Sequence, residues 1–138
     1  RVTAFVSELR AALKSGGRRV RISAAVFPEP ANAAVLIGQD WERWAADGLI
    51  DMLCPMLYTN DTALFEKLGR RSAALRRDGR VLVCPGIGIG TSHNQATPGI
   101  MLEEIGLSRA LGADGVVFFS SSSLTDPFLK ALEDARRR

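Results

Sequence analysis

The sequence predicts a parallel α/β fold, four consecutive strand–helix units long, that makes up part of an eight-stranded (β/α) barrel. Three observations predict it. Apolar, β-branched runs recur at 20–27, 50–58, 81–87 and 115–120. Their starts lie roughly 30 residues apart, the length of one unit in a barrel of ~250 residues. The runs are almost continuously apolar rather than alternating, as strands buried on both faces are. Amphipathic stretches separate them.

Those stretches are read in chain order. Residues 2–14 place Phe5, Leu9, Ala12 and Leu13 on one helical face. Residues 39–46 set Trp41 and Trp44 three apart, a spacing that suits packing better than a sugar platform. Residues 62–77 carry Leu64, Phe65, Leu68 and Leu75, and 98–111 carry Ile100, Met101, Ile105 and Leu111. A last helix at 127–137 carries Phe128, Leu129 and Leu132. Asp61 and Thr97 suit N-caps, Thr97 with Pro98 behind it, and Asp126-Pro127 repeats that signature. Gly16, Gly48, Gly79 and Gly112 stand where a left-handed residue ends a helix.

Loop lengths are asymmetric. Each glycine is followed within a few residues by the next strand, so the helix-to-strand links are short. The strand-to-helix links at 28–38, 88–97 and 121–126 are longer and rich in Gly, Ser, Asn and Pro. In parallel α/β folds, loops after the strands' C-terminal ends build the functional face. A doubly wound sheet also fits alternating helix and strand. Against it, the chain starts with a helix, and no nucleotide motif follows the first strand. Half a barrel leaves two sheet edges and an inner face open. Upstream sequence or a second copy of the chain is expected to fill that space.

The 138 residues make one domain, 1–138, large enough to bury a core. The chain opens on Arg1, which reads as an excised domain or a processed product. No signal-peptide pattern and no run of ~18 apolar residues is present, so no membrane span is expected. Net charge is +3, with Arg70, Arg71, Arg76, Arg77, Arg136, Arg137 and Arg138 on helix-like stretches. These arginines are not interleaved with aromatics, so solvated helix faces are expected rather than a nucleic-acid partner. Cys54 and Cys84 each precede a proline inside an apolar run. Their spacing does not suggest zinc, and buried free thiols are expected, although neighbouring strands would permit a bridge.

The candidate chemistry lies at the strand tips. The first tip offers Phe27 and Glu29, and the second offers Tyr58, Asn60 and Asp61. A tyrosyl hydroxyl with a carboxamide beside it can bind a sugar and stabilise charge near an anomeric centre. Asp61 also suits a helix cap. The third tip alternates Gly86, Gly88 and Gly90, then reaches His93, the sole histidine. That glycine spacing is not a dinucleotide fingerprint, and one histidine without acidic or thiol partners does not make a metal site. No cofactor is expected. The fourth tip is Ser120 with Ser121, Ser122 and Ser123, a phosphate cradle or a polar loop. Glycosidic hydrolysis normally needs paired acids. The tips offer only Glu29, Asp61 and Asp126, two of them cap-like, with Gln39 and Asp40 near the cleft.

Several segments in order resemble the glycosyl hydrolase-like 10 family of bacterial envelope and secreted proteins. They are Val2-Thr3-Ala4-Phe5-Val6, Arg21 to Pro28, Gln39-Asp40-Trp41 with Trp44, Gly48-Leu49-Ile50-Asp51 leading to Pro55-Met56-Leu57-Tyr58, and Gly115 to Ser120. Met56-Leu57-Tyr58 is also similar to the Met-x-Tyr that ends the sixth strand of chitinase-type barrels. The resemblance implies the C-terminal half of a TIM-type barrel, strands five to eight, that acts on or binds a polysaccharide outside the cytoplasm. The substrate-binding candidates at the strand tips are Phe27, Glu29, Tyr58, Asn60, Asp61, His93 and Ser120. The acidic cluster of such barrels ends the fourth strand, which this chain lacks, so the resemblance puts the general acid elsewhere.

Overall fold

The computed structural model describes residues 1–17, 20–79 and 81–137, without the side chains of 77 and 78. Arg138 and the Arg77 side chain lie outside the described residues. The elements run α1 (Val2–Ser15), β1 (Ser23–Val26), α2 (Pro30–Ile37), α3 (Trp41–Ala46), β2 (Met52–Pro55), α4 (Thr62–Ala73), β3 (Leu82–Val83), β4 (Gly86–Gly88), α5 (Pro98–Ala110), β5 (Val117–Phe119) and α6 (Asp126–Arg136).

Every strand pairing is parallel: β1 with β2, β2 with β3, and β4 with β5. The third apolar run is one strand position broken in two. It leaves β3 at Cys84-Pro85 and resumes as β4, and Met56 bridges to Gly86 across the break. Proline has no amide to donate, so the ladder lapses there. The Pro85 carbonyl still accepts from the Val117 amide at 3.0 Å. The sheet is therefore four strand positions wide and continuous. The fold is the partial TIM-type barrel that the sequence predicts.

Several local expectations need correction. The loop expected over 28–38 holds a helix, α2, opened by Pro30 and closed by left-handed Gly38. Its run Ala33-Ala34-Val35-Leu36-Ile37 is apolar throughout, so it carries no amphipathic period to betray it. The left-handed residue after α1 is Gly17, not Gly16, whose φ is −74°. Thr125 rather than Asp126 stands at the N-cap of α6. The fourth helix tightens into a 3-10 turn over Ala74–Asp78.

Two apolar clusters fill the space between sheet and helices. One joins Val26, Leu53 and Val83 to Trp41, Trp44 and Ile50. Trp41 is 0% exposed, and its indole donates to the Phe27 carbonyl at 3.0 Å. Trp44 donates to Thr3 at 2.9 Å, which docks α1. Both tryptophans therefore pack, as their spacing suggests. The other cluster joins Leu57, Ile87 and Ile89 to Phe65, Met101 and Ile105. Cys54 and Cys84 are buried and free, and burial pushes the Cys54 thiol up to about 11.

The strands' N-terminal ends are cross-braced. Asp51 takes two hydrogen bonds from Arg10 and one from the Ile22 amide, the last at 2.7 Å. Asp114 accepts from Arg76 at 2.7 Å and from the Val83 amide at 2.9 Å. Each aspartate ties a strand to its neighbour through a main-chain amide. Among the described residues, no helix is long and apolar enough to cross a membrane.

Candidate functional site

All four strand positions end on one cleft of about 420 Å³. β1 delivers Phe27 and Pro28, and β2 delivers Met56 and Tyr58. The loop after β4 delivers Thr91, Ser92 and His93, and β5 ends in Phe119. The register explains the convergence. Parallel strands finish at one level, so the residues just past their tips face the same space.

Aromatic surface dominates the floor. The Tyr58 and Phe119 rings stack with centroids 5.6 Å apart and planes 19° apart. Phe27 and Phe119 are each 52% exposed, an unusual amount for a residue type that is most often buried. Phe27 is fixed through its backbone: its amide donates to the Gln39 side chain at 2.9 Å, and its carbonyl holds Trp41. Burial, then the neighbouring Cys54, hold the Tyr58 hydroxyl above its ordinary pKa, so it stays a neutral donor at physiological pH.

A polar latch shapes the rim. Buried Asn94 donates to the Gly88 carbonyl at 2.7 Å and to the Asn60 side chain at 3.2 Å. It accepts from the Thr91 hydroxyl at 2.7 Å, while the Thr91 oxygen accepts from the His93 amide at 3.0 Å. Asn60 in turn donates to the Gln95 carbonyl at 2.9 Å. The latch requires glycine at 88, because a Cβ there would collide with the Asn94 Oδ1. It presents His93 and Ser92, both exposed, on the cleft's lip.

The predicted site residues thus divide. Phe27, Tyr58 and His93 line the cleft. Asn60 is beside it, but its carboxamide is committed to the latch. Asp61 caps α4, accepting from the Ala63 and Leu64 amides at 3.0 and 3.1 Å. Glu29 lines a smaller groove of about 270 Å³ with Asn32, Leu36 and Ile37, continuous with the cleft through Phe27 and Pro28. Ser120 follows Phe119 and shares a 2.7 Å hydrogen bond with Ser122 rather than lining the cleft. Sequence reasoning missed Phe119, Thr91 and Asn94 as site residues. Phe119 ends its strand as Tyr58 follows its own, and that equivalence was the available signal.

The phosphate reading finds little support. Gly86 and Gly88 are buried in β4 and paired with β5. The serine run folds into a 3-10 turn in which Ser123 donates to the Ser120 carbonyl. Gly90 lies so close that its Cβ would come within 2.9 Å of the Ser123 hydroxyl. That backbone is already engaged. Among the described residues no group of three or more His, Cys, Asp or Glu could hold a metal. A cleft of about 490 Å³ at the other end of the molecule is lined by Arg70, Arg76 and the last turns of α4 and α5. Both arginines are already paired, with Glu66 and Asp114.

A cleft at the C-terminal tips of four parallel (β/α) units is the architecture of half a TIM-type barrel. The structure matches bee venom hyaluronidase with a TM-score of 0.64 and 17% sequence identity, over 96% of this chain and 50% of that one. The chain thus spans half the length of that enzyme, and the likeness is one of fold. No protein-family model matches the sequence, and no curated protein matches it.

Proposed function

We propose that this chain is the substrate-holding half of a glycoside-hydrolase-like barrel that acts on a polysaccharide. One observation carries the reading: four strand tips converge on a single aromatic cleft with a hydroxyl-bearing rim. A sugar ring has an apolar C–H face that lies well against phenyl and phenol rings, and hydroxyls that need polar partners. Phe27, Tyr58 and Phe119 suit the first, and Thr91, Ser92 and His93 the second. The described cleft residues include no carboxylate, and Glu29 lines the adjoining groove. Since hydrolysis needs an acid and a second carboxylate, this half positions the glycan while the acid comes from outside the chain. The family resemblance points the same way and adds an extracytoplasmic setting to the proposal.

A second reading is a catalytically silent carbohydrate-binding barrel, which a cleft without a carboxylate among its described lining residues also suits. Titration calorimetry of this chain against bacterial and plant oligosaccharides tests both. Binding that Tyr58→Phe and Phe119→Ala weaken supports the cleft. Binding that neither change alters removes the cleft from the reading. Turnover by a complete barrel carrying this half separates the hydrolase from the silent module.

A further inference from the structure

Two buried thiols, Cys54 and Cys84, lie on the central strands, and the proposed function uses neither. β2 and β3 pair in parallel, with Met52 beside Leu82 and Leu53 beside Val83. Continuing that register by one residue sets Cys54 opposite Cys84. The Cys84 amide donates to the Leu53 carbonyl at 2.9 Å, so the ladder extends to this position. Leu53 and Val83 pack into the cluster between sheet and helices. Strand side chains alternate between faces. Cys54 and Cys84 therefore turn to the opposite face, the one along which β2 carries Met56 and Tyr58 into the cleft.

The row across the sheet at this level reads Ala25, Cys54, Cys84, Gly115. Ala25 is the register partner of Cys54. On the other flank, a Cβ on Gly115 would stand 3.5 Å from the Cys84 sulfur. In that row nothing bulkier than a methyl group flanks the two thiols, so each is the other's largest neighbour. Burial first, and then Cys84, push the Cys54 thiol up to about 11. Neighbouring strands lie about 4.8 Å apart. That falls inside the range of roughly 4.4–6.8 Å between the Cα atoms of disulfides. It exceeds the usual Cβ separation of about 3.8 Å, so the two side chains must lean together to bond. A bridge formed under that constraint is readily reduced.

We propose that Cys54 and Cys84 form a reversible modification site, a dithiol that a hydroperoxide converts to a disulfide joining β2 to the end of β3 beneath the cleft. One sulfur attacks a peroxide oxygen, and the O–O bond breaks. With hydrogen peroxide this leaves a sulfenic acid and one water. The second sulfur then attacks the first, displaces its hydroxyl as another water and closes the S–S bond. Both S–H bonds are lost, and two electrons pass from the sulfurs to the peroxide oxygens. An external dithiol reverses the step by exchange and is itself oxidised. The site stands whether or not the cleft holds a glycan.

Mass spectrometry of the full chain after hydrogen peroxide treatment tests the proposal. The attacking species is the thiolate, and burial disfavours it, so the reaction is followed over hours. The chain is then unfolded and alkylated. The expected product is a monomer lighter by two hydrogens that takes no alkyl label and regains two labels after dithiothreitol. A peptide map should join the Cys54 and Cys84 peptides. Chains that stay folded by circular dichroism and keep both thiols overturn the proposal. So does oxygen added to either sulfur without a bridge, and so does a bridge found only between chains.

Discussion

The two ends of the strands are built from opposite materials. At the N-terminal end Asp51 and Asp114 are each satisfied by an arginine and by a neighbouring strand's amide. At the C-terminal end the exposed groups are aromatic rings and a rim of Ser92 and His93. The first end spends its polar groups on joining strands, while the second leaves its surface available. In parallel (β/α) units the short returns brace and the long loops bind. Substitutions at the N-terminal end should therefore move stability and leave ligand affinity alone, and those at the C-terminal end should do the reverse.

The largest expected effect lies between the two ends. Glu104 on α5 is fully buried, and among the described residues neither carboxylate oxygen has a hydrogen-bond partner. Burial, with Glu103 nearby, raises its pKa from 4.5 to about 8. Because the folded state holds the proton more tightly, the stability it retains is full below about pH 4.5 and is lost as pH rises through about 8. Denaturant melts should show a fall on the order of 2–4 kcal/mol across that window, and Glu104→Gln should flatten it. An unchanged pH slope in the variant would take Glu104 out of the account.

Next comes the braced end. Asp51→Ala removes the Arg10 pair and the Ile22 bond, and should cost about 2 kcal/mol at neutral pH with oligosaccharide affinity unchanged. The Arg10 hydrogen bonds lower the Asp51 pKa. Its contribution is therefore present above the ordinary carboxylate range and fades as acid protonates it. The same measurement on Phe119→Ala should reverse the pattern. Affinity should drop roughly tenfold, while stability changes by less than about 1 kcal/mol because the ring is already half exposed.

The smallest effects sharpen the division within the cleft end itself. Asp61→Ala should cost about 1 kcal/mol through the lost cap of α4 and leave affinity alone. Tyr58→Phe should leave stability within about 0.5 kcal/mol and weaken binding only as far as the hydroxyl contacts the ligand. A large affinity loss in the Asp61 variant would return that carboxylate to the site.

The helical period of α4, α5 and α6 and the spacing of the apolar runs made the (β/α) frame legible, because backbone geometry imposes both. Tyr58, Phe27 and His93 were legible as cleft residues for a related reason: a residue just past a parallel strand faces the functional end. Asn60 and Asp61 shared that position, but local hydrogen bonds claimed them. That competition depends on where the Gln95 carbonyl and the α4 amides lie, which no residue type announces.

The sequence by itself determined the repeating unit, the direction of the strands and the end of the sheet where loops lengthen. These follow from side-chain period, glycine and proline placement, and chain length, all local quantities. Only the tertiary structure decided that Phe119 stacks on Tyr58 and that Asn94 latches the rim over Gly88. Each of these depends on segments distant in sequence meeting at a fixed height along the sheet, and parallel register sets that height.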